Sequence, residues 1–378
     1  MGERKSKKQR ERRIAYFDYN LLLLVVFLIG FGMVMLYSSS SYVAANKFGD
    51  AAYYLNKQIR NAGIGAVLMI ATIFIPYTFW KRFGLFAYVA SMGLCLLTYV
   101  PQFQVSANGS SRWIKIGPLS FQPSEVAKIG VIIFMAMILE RTAKQMHKTK
   151  NLIIMVMLLL PIIVVVALKN LSTAIIIFGI GACMIFVASK SYKQFAFLGL
   201  GAVLMVVAFS VSNYRSDRID AWLHPETAGD KGYQTLQGLY AIGSGGLFGK
   251  GLGQSLQKMG NVPEAQNDMI FTIICEELGL FGGMCVILLF MLLIWRMMVI
   301  ANNAQDLFGA LIVVGVMSHV AIQVILNIAV VTNTIPNTGV ILPFISYGGT
   351  SFAFLMAEMG LVLGVSRGIR KEKLKERS

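Results

Sequence analysis

Long apolar runs, separated by shorter polar segments, follow one another along almost the whole chain. Each run is about 17 to 25 residues long, which as a helix is enough to cross the hydrocarbon core of a bilayer. Water is not available there to satisfy a free backbone amide or carbonyl, so such a run forms a helix. The pattern therefore predicts an all-α polytopic membrane protein with about ten transmembrane helices. They are placed at residues 20–38, 60–77, 84–100, 123–140, 152–168, 171–188, 194–212, 269–295, 307–330 and 346–366.

Three polar segments between the runs are long enough to carry function. Residues 101–122 hold an Asn-Gly turn followed by a tryptophan with apolar neighbours, a pattern typical of a piece that lies at the lipid headgroups. Residues 213–268, between the seventh and eighth helices, show no sustained apolar period, so we expect a large outer loop without regular structure. Residues 331–345 contain two prolines, Asn337 and Gly339, which interrupt helix formation. Such backbone at membrane depth is predicted to line a wet cavity.

The composition and the placement of charge agree with a membrane protein. Of the 378 residues, 56% are hydrophobic and 14% are charged, whereas soluble domains carry about 25% charged residues. The net charge of +16 comes from basic residues at both ends and in alternate loops. This is the distribution of cytoplasmic segments, and it gives no support to nucleic-acid binding. We therefore predict a basic cytoplasmic tail at 1–19, a membrane domain at 20–366 and a second basic cytoplasmic tail at 367–378.

The cysteines and histidines show no pattern of a disulfide framework or a metal site. The four cysteines fall inside apolar runs without a CxxC pair, so they are interpreted as small apolar side chains. The three histidines are too scattered to indicate a zinc site. These residues are Cys95, Cys183, Cys275, Cys285, His147, His224 and His319.

One aspartate, Asp268, stands where a polar loop meets a long apolar run. An ionisable group at the rim of a membrane helix is costly to keep, so it marks a functional site by default. A carboxylate there could act as a base on a lipid-borne substrate that also meets water. Glu264 lies close to it in the same loop, with a position relative to the helix that the sequence does not fix.

The other carboxylates of the late runs are expected to be structural. At about 100° per residue, Glu277 lies roughly opposite Asp268 and Glu276 about 80° away, both roughly 12 Å deeper. This geometry argues against a carboxylate dyad. We therefore expect Glu276 and Glu277 to be packed or paired inside the bundle, and we expect a bundle partner for Glu358.

Glu125 and Lys128 open the fourth predicted helix just after Pro123, which suits the first turn of a helix. Their i,i+3 spacing places both charges on one face, and each alone would cost about 2.5 to 3.5 kcal/mol at the bilayer centre. We therefore expect them to pair. The sequence leaves open whether the pair is structural, functional or both.

Basic residues in the outer segments could together bind an anion. Any one of them is ordinarily a solvated charge, but several on one face would attract phosphate, for which arginine is especially suited. The glycine-rich run Gly243–Gly253 does not match a Walker A or dinucleotide motif. It is either a compact turn or, with Lys250, a surface for a pyrophosphate. The other outer basic residues are Arg112, Lys115, Arg215, Arg218 and Lys231.

Four segments, in order, resemble the SEDS family, the shape, elongation, division and sporulation proteins. They read NGSSRWIKIGPLSFQPSEVAK, GYQTLQGLYAIGSGGLFGKGLGQS, VPEAQNDMIFTIICEELG and NTGVILPFISYGGTS, and they extend from about residue 100 to 360. The GLGQS sequence and Gln234 favour the FtsW and SpoVE branches over the RodA branch. The resemblance also adds Gln234, Ser346 and Tyr347 to the candidate supporting residues.

The resemblance implies a peptidoglycan glycosyltransferase with ten membrane helices, which polymerises lipid II on the outer face of the bacterial plasma membrane. It implies that Asp268 is the catalytic aspartate and that Glu125 and Lys128 are the functional pair of the family. It also implies a class B penicillin-binding protein as partner, together with other proteins of the division complex. No permanent cofactor is expected, and a divalent cation, Mg²⁺ or Mn²⁺, could arrive with the lipid pyrophosphate.

Two departures and three alternatives qualify this expectation. The family's P-D-L-G-T is replaced by residues 169–173, Lys-Asn-Leu-Ser-Thr, which puts a role for that outer turn in doubt. The usual His-Thr before the aspartate is Gln266-Asn267, so those residue types are not themselves the catalytic machinery. The alternatives are a lipid II flippase, a non-catalytic scaffold that activates its partner, and an elongation-type polymerase.

Overall fold

The computed structural model of the chain describes residues 16–369, apart from 108–109, 117–118, 147, 190, 194–195, 197, 202–212 and 228. Its helices are α1 (Tyr19–Phe48), α2 (Tyr53–Phe74), α3 (Tyr77–Arg82), α4 (Gly84–Leu97), α5 (Pro123–Thr142), α6 (Thr149–Ala167), α7 (Leu171–Ser189), α8 (Asn213–Leu223), α9 (Gly229–Ser244), α10 (Ile270–Asn303), α11 (Leu307–Val331) and α12 (Thr350–Ser366). Its strands are β1 (Gln104–Ala107), β2 (Ser110–Ile116) and β3 (Leu119–Phe121).

The apolar helices confirm the predicted α-helical membrane fold. Among the described residues, five helices are long and apolar enough to cross a bilayer, namely α1, α6, α7, α10 and α11, and α4 and α12 are shorter apolar helices. The predicted run at 194–212 lies largely outside the described residues. The same holds for most of the two basic tails and for His147.

Helix α1 is longer than its apolar run predicts. It continues through a serine-rich stretch because the hydroxyls of Ser39 and Ser41 donate to carbonyls of the preceding turn. It ends at Gly49, whose φ of 72° suits the left-handed conformation of a C-cap. The next helix, α2, likewise begins at Tyr53, before its apolar run. Polar residues at this end of the bundle are therefore helical.

The centre of the bundle is formed by α5, α11 and α12, whose residues are buried on most sides. Helix α12 packs along α2, and α11 packs against α5, α7 and α10. The approach of α2 and α12 depends on a glycine, because a Cβ on Gly360 would lie 2.5 Å from the carbonyl oxygen of Met69. Close helix packing through small residues is the usual source of stability inside a membrane.

Polar contacts tie the elements together at the end of the bundle that holds the start of α1 and the end of α10. The guanidinium of Arg296 lies 2.5 Å from the carboxylate of Asp18. The hydroxyl of Tyr77 donates to Asp306 at 3.1 Å. The large polar segments all belong to the opposite end, where α2, α5, α10 and α12 begin.

The segment predicted to lie at the lipid headgroups contains a small sheet, formed by the described residues between Gln104 and Phe121. The strand order is β1-β2-β3, and both pairs are antiparallel, with Gln104 opposite Ile114 and Ile114 opposite Phe121. Trp113, Ile114 and Ile116 in β2 are aromatic or β-branched residues, which favour strands. An Asn-Gly turn between two such segments is a strong hairpin signal.

The segment 213–268 is also more ordered than predicted, since it contains α8 and α9. The buried positions of α9 include Thr235, Gly238 and Ala241, which are three residues apart. Small residues form this packing face against α10, so a search for large apolar residues at helical spacing misses it. The prediction of a structureless loop was wrong here, since among the described residues of this segment only 224–227 and 245–268 have no α-helix.

Candidate active site

A cavity of about 620 Å³ opens at the end of the bundle where α2, α5 and α10 begin. Residues Thr338 to Ile341 form part of its wall, which confirms that the non-helical segment 331–345 lines a cavity. Seven charged side chains line it, and cations and carboxylates face the same space. The cations are Lys57, Arg60, Arg112 and Lys128, and the carboxylates are Glu125, Glu264 and Asp268.

Asp268 lies two positions before the first residue of α10 and is 8% exposed. Its backbone carbonyl accepts a hydrogen bond of 2.7 Å from the side-chain amide of Asn327. The same amide donates to the carbonyl of Val340 at 2.8 Å. One side chain of α11 therefore fixes the aspartate and the non-helical segment of the cavity wall relative to each other.

Burial raises the pKa of Asp268 to about 6, because the charged carboxylate loses its hydration. The hydrogen bond from its own backbone amide lowers that pKa, the charge of Glu264 raises it, and the charges of Arg218 and Arg112 lower it. A carboxyl with this pKa is mostly ionised at neutral pH and binds a proton more tightly than an exposed aspartate. Those two properties are the ones that a general base needs.

A second cavity of about 190 Å³ meets the first at Asp268, Glu264 and Gly339. Arg218 and Gln234 line it. The guanidinium of Arg218 donates to the carbonyl of Asn337 at 3.3 Å. The amide of Gln234 donates to the carbonyl of Pro263, and its oxygen accepts from Asn337 at 3.2 Å. Helices α8 and α9 thus bring Arg218 and Gln234, two predicted site residues, to the cavity that Asp268 lines.

Glu125 and Lys128 form the expected pair, with 2.9 Å between Oε2 and Nζ. Pro123 is the first residue of α5, so both charges lie in its first two turns and both face the cavity. Lys128 is 2% exposed and also lies 2.8 Å from Nε2 of His319. His319 is also the partner that was expected for Glu358, because its Nδ1 lies 2.6 Å from Oε2 of that carboxylate.

Glu276 and Glu277 are paired inside the protein, as predicted, and neither lines the cavity with Asp268. Glu276 lies 2.7 Å from the ammonium of Lys250, and Glu277 lies 2.7 Å from that of Lys258. Ser38 of α1 donates to Glu277 at 2.7 Å. Lys250 is therefore engaged in an ion pair away from both cavities, which favours the compact-turn interpretation over the pyrophosphate surface.

Of the remaining candidate residues that the structure describes, one lines the large cavity and the others do not. Tyr347 lines the large cavity, and its backbone amide donates to the carbonyl of Gln266 at 2.9 Å. Ser346 does not line it, since its buried hydroxyl accepts from the amide of Leu342 at 2.9 Å. Lys115 is exposed on β2 and does not line the large cavity either. The side chains of Arg215 and Lys231 lie outside the described residues.

Sequence reasoning missed residues that line the large cavity and residues that support it. Lys57 and Arg60 were missed because the start of α2 was placed at residue 60, whereas it begins at Tyr53. His319, Gln323 and Asn327 were missed as a set, although they recur every four residues and so share one face of α11. A polar stripe of this spacing in an apolar run was the available signal.

Comparisons with known proteins agree over nearly the whole chain. The profile of the FtsW/RodA/SpoVE family, described as cell cycle protein, matches residues 19–371. Stage V sporulation protein E of Bacillus subtilis is 38% identical over 93% of this chain and 97% of its own length. A probable peptidoglycan glycosyltransferase FtsW of Trichlorobacter lovleyi is 38% identical over 95% of each chain.

Two solved structures have the same fold. The rod shape determining protein RodA of Thermus thermophilus superposes with a TM-score of 0.70 at 26% identity, over 94% of this chain and 98% of that one. A chain from a peptidoglycan synthase complex, described for its coordination of polymerization and crosslinking, gives 0.77 at 26% identity over 94% of this chain and 99% of its own. The protein is a multi-pass membrane protein and belongs to the FtsW/RodA/SpoVE family.

Proposed function

We propose that the protein is a peptidoglycan glycosyltransferase, which polymerises lipid II into β-1,4-linked glycan during division or sporulation septum synthesis. Relatives that are 38% identical over almost their full length are named FtsW glycosyltransferase and sporulation protein E. The observation that carries the proposal is the buried carboxylate of Asp268, which lines two neighbouring cavities. Two glycan-bearing lipids can therefore meet at one base.

The proposed reaction is an inverting glycosyl transfer. The 4-hydroxyl of an N-acetylglucosamine attacks the anomeric carbon of a muramyl-pyrophosphoryl-lipid, and Asp268 takes the hydroxyl proton. The new glycosidic bond forms as the bond to the pyrophosphate breaks, and the lipid pyrophosphate leaves. A positioned general base contributes about 10²- to 10⁴-fold to such a step. Its pKa of about 6 keeps Asp268 mostly ionised in neutral medium.

Cations on the cavity wall are placed to hold the anionic part of the substrate. Lys57, Arg60, Arg112 and Lys128 line the large cavity together. Preorganised positive groups stabilise charge that develops on a leaving group, and arginine binds phosphate oxygens in a bidentate manner. These side chains therefore have the charge that a leaving pyrophosphate requires.

The described residues offer no group of three or more histidine, cysteine, aspartate or glutamate side chains that could hold a resident metal. An Mg²⁺ or Mn²⁺ ion could arrive with the lipid pyrophosphate, because Mg²⁺ is commonly bound through substrate phosphates.

The proposal includes a location and a partner. We propose that the cavity lies on the outer face of the plasma membrane, where lipid II is polymerised, and the basic loops on alternate sides support this orientation. The similar chain from a peptidoglycan synthase complex supports a crosslinking partner, which we propose to be a class B penicillin-binding protein. Other division proteins would join this pair.

A lipid II flippase remains the alternative function. A flippase needs charged groups along a path from one face to the other, whereas the seven charged side chains of the large cavity belong to one end of the bundle. The grouping at one end favours a polymerase.

The experiment is polymerisation of labelled lipid II by the purified protein, with and without its cognate transpeptidase, resolved on a gel. Asp268→Asn should fold and bind its partner but make no glycan. The matched control is Asp220→Asn, which changes an exposed carboxylate of α8 and should leave activity unchanged. Activity of Asp268→Asn within a few-fold of the wild type would remove the base assignment.

A further inference from the structure

A chain of four buried polar side chains runs from the cavity into the bundle. Oε2 of Glu125 lies 2.9 Å from Nζ of Lys128, and Nζ lies 2.8 Å from Nε2 of His319. Nδ1 of His319 lies 2.6 Å from Oε2 of Glu358. The last two residues are 2% and 1% exposed and do not line the large cavity. Only the Glu125–Lys128 end of the chain can touch a ligand there.

The hydrogen positions along this chain follow from the donors present. An ammonium has only donors, so Nε2 of His319 must accept from Lys128. The proton of the neutral imidazole then resides on Nδ1, which donates to the carboxylate of Glu358. A carboxylate behind a histidine commonly fixes the tautomer in this way. Glu358 therefore determines that His319 can serve Lys128 as an acceptor.

Two contacts leave one hydrogen of Lys128 for the cavity. The ammonium has three N–H groups, and Glu125 and His319 engage two of them. The lysine side chain lines the cavity, so the third can point to an anionic group of a bound lipid. His319 is a second contact of the ammonium beside Glu125, so the two together restrain the direction of the flexible four-carbon side chain.

We infer that His319 and Glu358 are positioning residues that hold Lys128 as an ammonium directed at the lipid pyrophosphate. The two carboxylates of the chain, one in direct contact and one through the imidazole, offset the cost of burying that charge. This inference rests on the proposed function, because the pyrophosphate is the anion that a polymerase must bind and release. His319 acts through Lys128 and does not itself touch the substrate.

The test is a coupling experiment on binding. The full-length protein carrying Asp268→Asn is titrated with undecaprenyl pyrophosphate, with and without His319→Phe and Lys128→Met. A hydrogen bond to a charged group is worth about 1.5 to 3 kcal/mol, so His319→Phe should raise the Kd by roughly tenfold or more. In the Lys128→Met background, His319→Phe should change the Kd less than about twofold, since the effects of two coupled residues are not additive.

Conservative and control variants separate positioning from general stability. His319→Gln keeps an acceptor near Nε2 and should retain most of the affinity. His224→Phe changes an exposed histidine beyond the end of α8 and should have no effect. If His319→Phe does not fold, Glu358→Gln, which keeps the volume and frees the tautomer, replaces it in the same cycle.

The outcomes distinguish the inference from the function on which it rests. Equal loss of affinity with and without Lys128, or a loss in His319→Gln as large as in His319→Phe, would overturn the positioning role. A wild-type protein that binds the lipid with these couplings but forms no glycan would instead refute the proposed function and leave the coupling intact.

Discussion

Asp268 combines a functional advantage with a cost to stability. Its pKa rises from 3.8 to about 6 on folding, so the folded protein prefers the protonated form. A change of this size corresponds to about 3 kcal/mol against the charged form. The full cost applies above pH 6. It disappears as the pH falls toward the ordinary value, because the folded state then takes up a proton that the unfolded state lacks.

This cost predicts opposite effects of Asp268→Asn on activity and stability. The substitution should abolish glycan synthesis and yet raise the thermal midpoint at pH 7.5, because it removes a buried charge and keeps the shape. At pH 4 the two proteins should unfold at the same temperature. Thermal unfolding in detergent at the two pH values measures the difference. A variant that is less stable than the wild type at pH 7.5 would contradict the buried-charge account.

The pH dependence of activity is expected to follow the same group. Glycan synthesis should fall about tenfold for each pH unit below the pKa of about 6, since only the ionised carboxylate accepts a proton. Initial rates between pH 5 and 8 measure this limb. A rate that stays constant down to pH 5 would show that another group is the base.

Single residues were predictable where the sequence places a charge at a position with a high desolvation cost. Asp268, Glu125 and Lys128 are charges at the edges of apolar runs, a rare and therefore informative position. His319 was not assigned, because the polar stripe of α11 marks its face, whereas its contacts with Lys128 and Glu358 come from two other helices that the local sequence does not identify. Lys250 shows the converse, since a lysine among glycines suggests phosphate until its partner Glu276 is seen.

At the scale of elements, α10 is interrupted where the glycine-rich segment crosses it. Gly279 has φ 70° and ψ −171°, and the amide of Leu280 donates to the carbonyl of Gly246 at 2.9 Å. The amide of Lys250 donates to the carbonyl of Glu276 at 3.0 Å. These backbone bonds replace helical ones and bring Lys250 to its carboxylate.

The crossing has no room for a side chain, and this makes Gly279→Ala a sharp test. A Cβ there would lie 2.4 Å from the amide nitrogen of Gly249, and the positive φ adds strain of about 1 to 3 kcal/mol. We expect a large loss of thermal stability, measured by unfolding in detergent.

The control is Gly243→Ala in α9, where a Cβ meets no atom within 4 Å. It should be neutral or stabilising by up to about 1 kcal/mol. Equal effects of the two would show that the crossing is not tightly packed.

Elements were predictable in proportion to their apolar content. Hydropathy located α4, α5, α7 and α11 closely, because burial in lipid depends directly on it. It failed for α9, whose packing face consists of small residues, and for the sheet, whose strands are short. The same measure shortened α1 and α2, whose outer turns are polar and helical. Several of these errors, at α2, β2 and α9, fall in elements that line the two cavities.

At the scale of the whole molecule, the charged side chains are arranged differently at the two ends of the bundle. One end holds compact pairs such as Arg296 with Asp18. The other holds an open space in which cations and carboxylates share one lining. The proposed activity requires that the open end faces away from the cytoplasm, since lipid II is consumed there.

This orientation predicts the labelling of single cysteines by a membrane-impermeant thiol reagent. In a background without the native cysteines, Asp220→Cys and Asn261→Cys should react in intact cells, because both positions are exposed at the open end. Lys144→Cys, exposed after α5, should react only after lysis. Protection of both outer positions in intact cells, with labelling after lysis, would place Asp268 on the wrong side and rule out the polymerase.

The junction between the sheet and α5 has a mechanical consequence. One residue, Gln122, separates Phe121, the end of β3, from Pro123, the first residue of α5. So short a linker has no slack, and proline stiffens the start of the helix. The sheet and the first turn of α5 are therefore expected to move together. A displacement of β3 would therefore be transmitted directly to the first turn of α5, which carries Glu125.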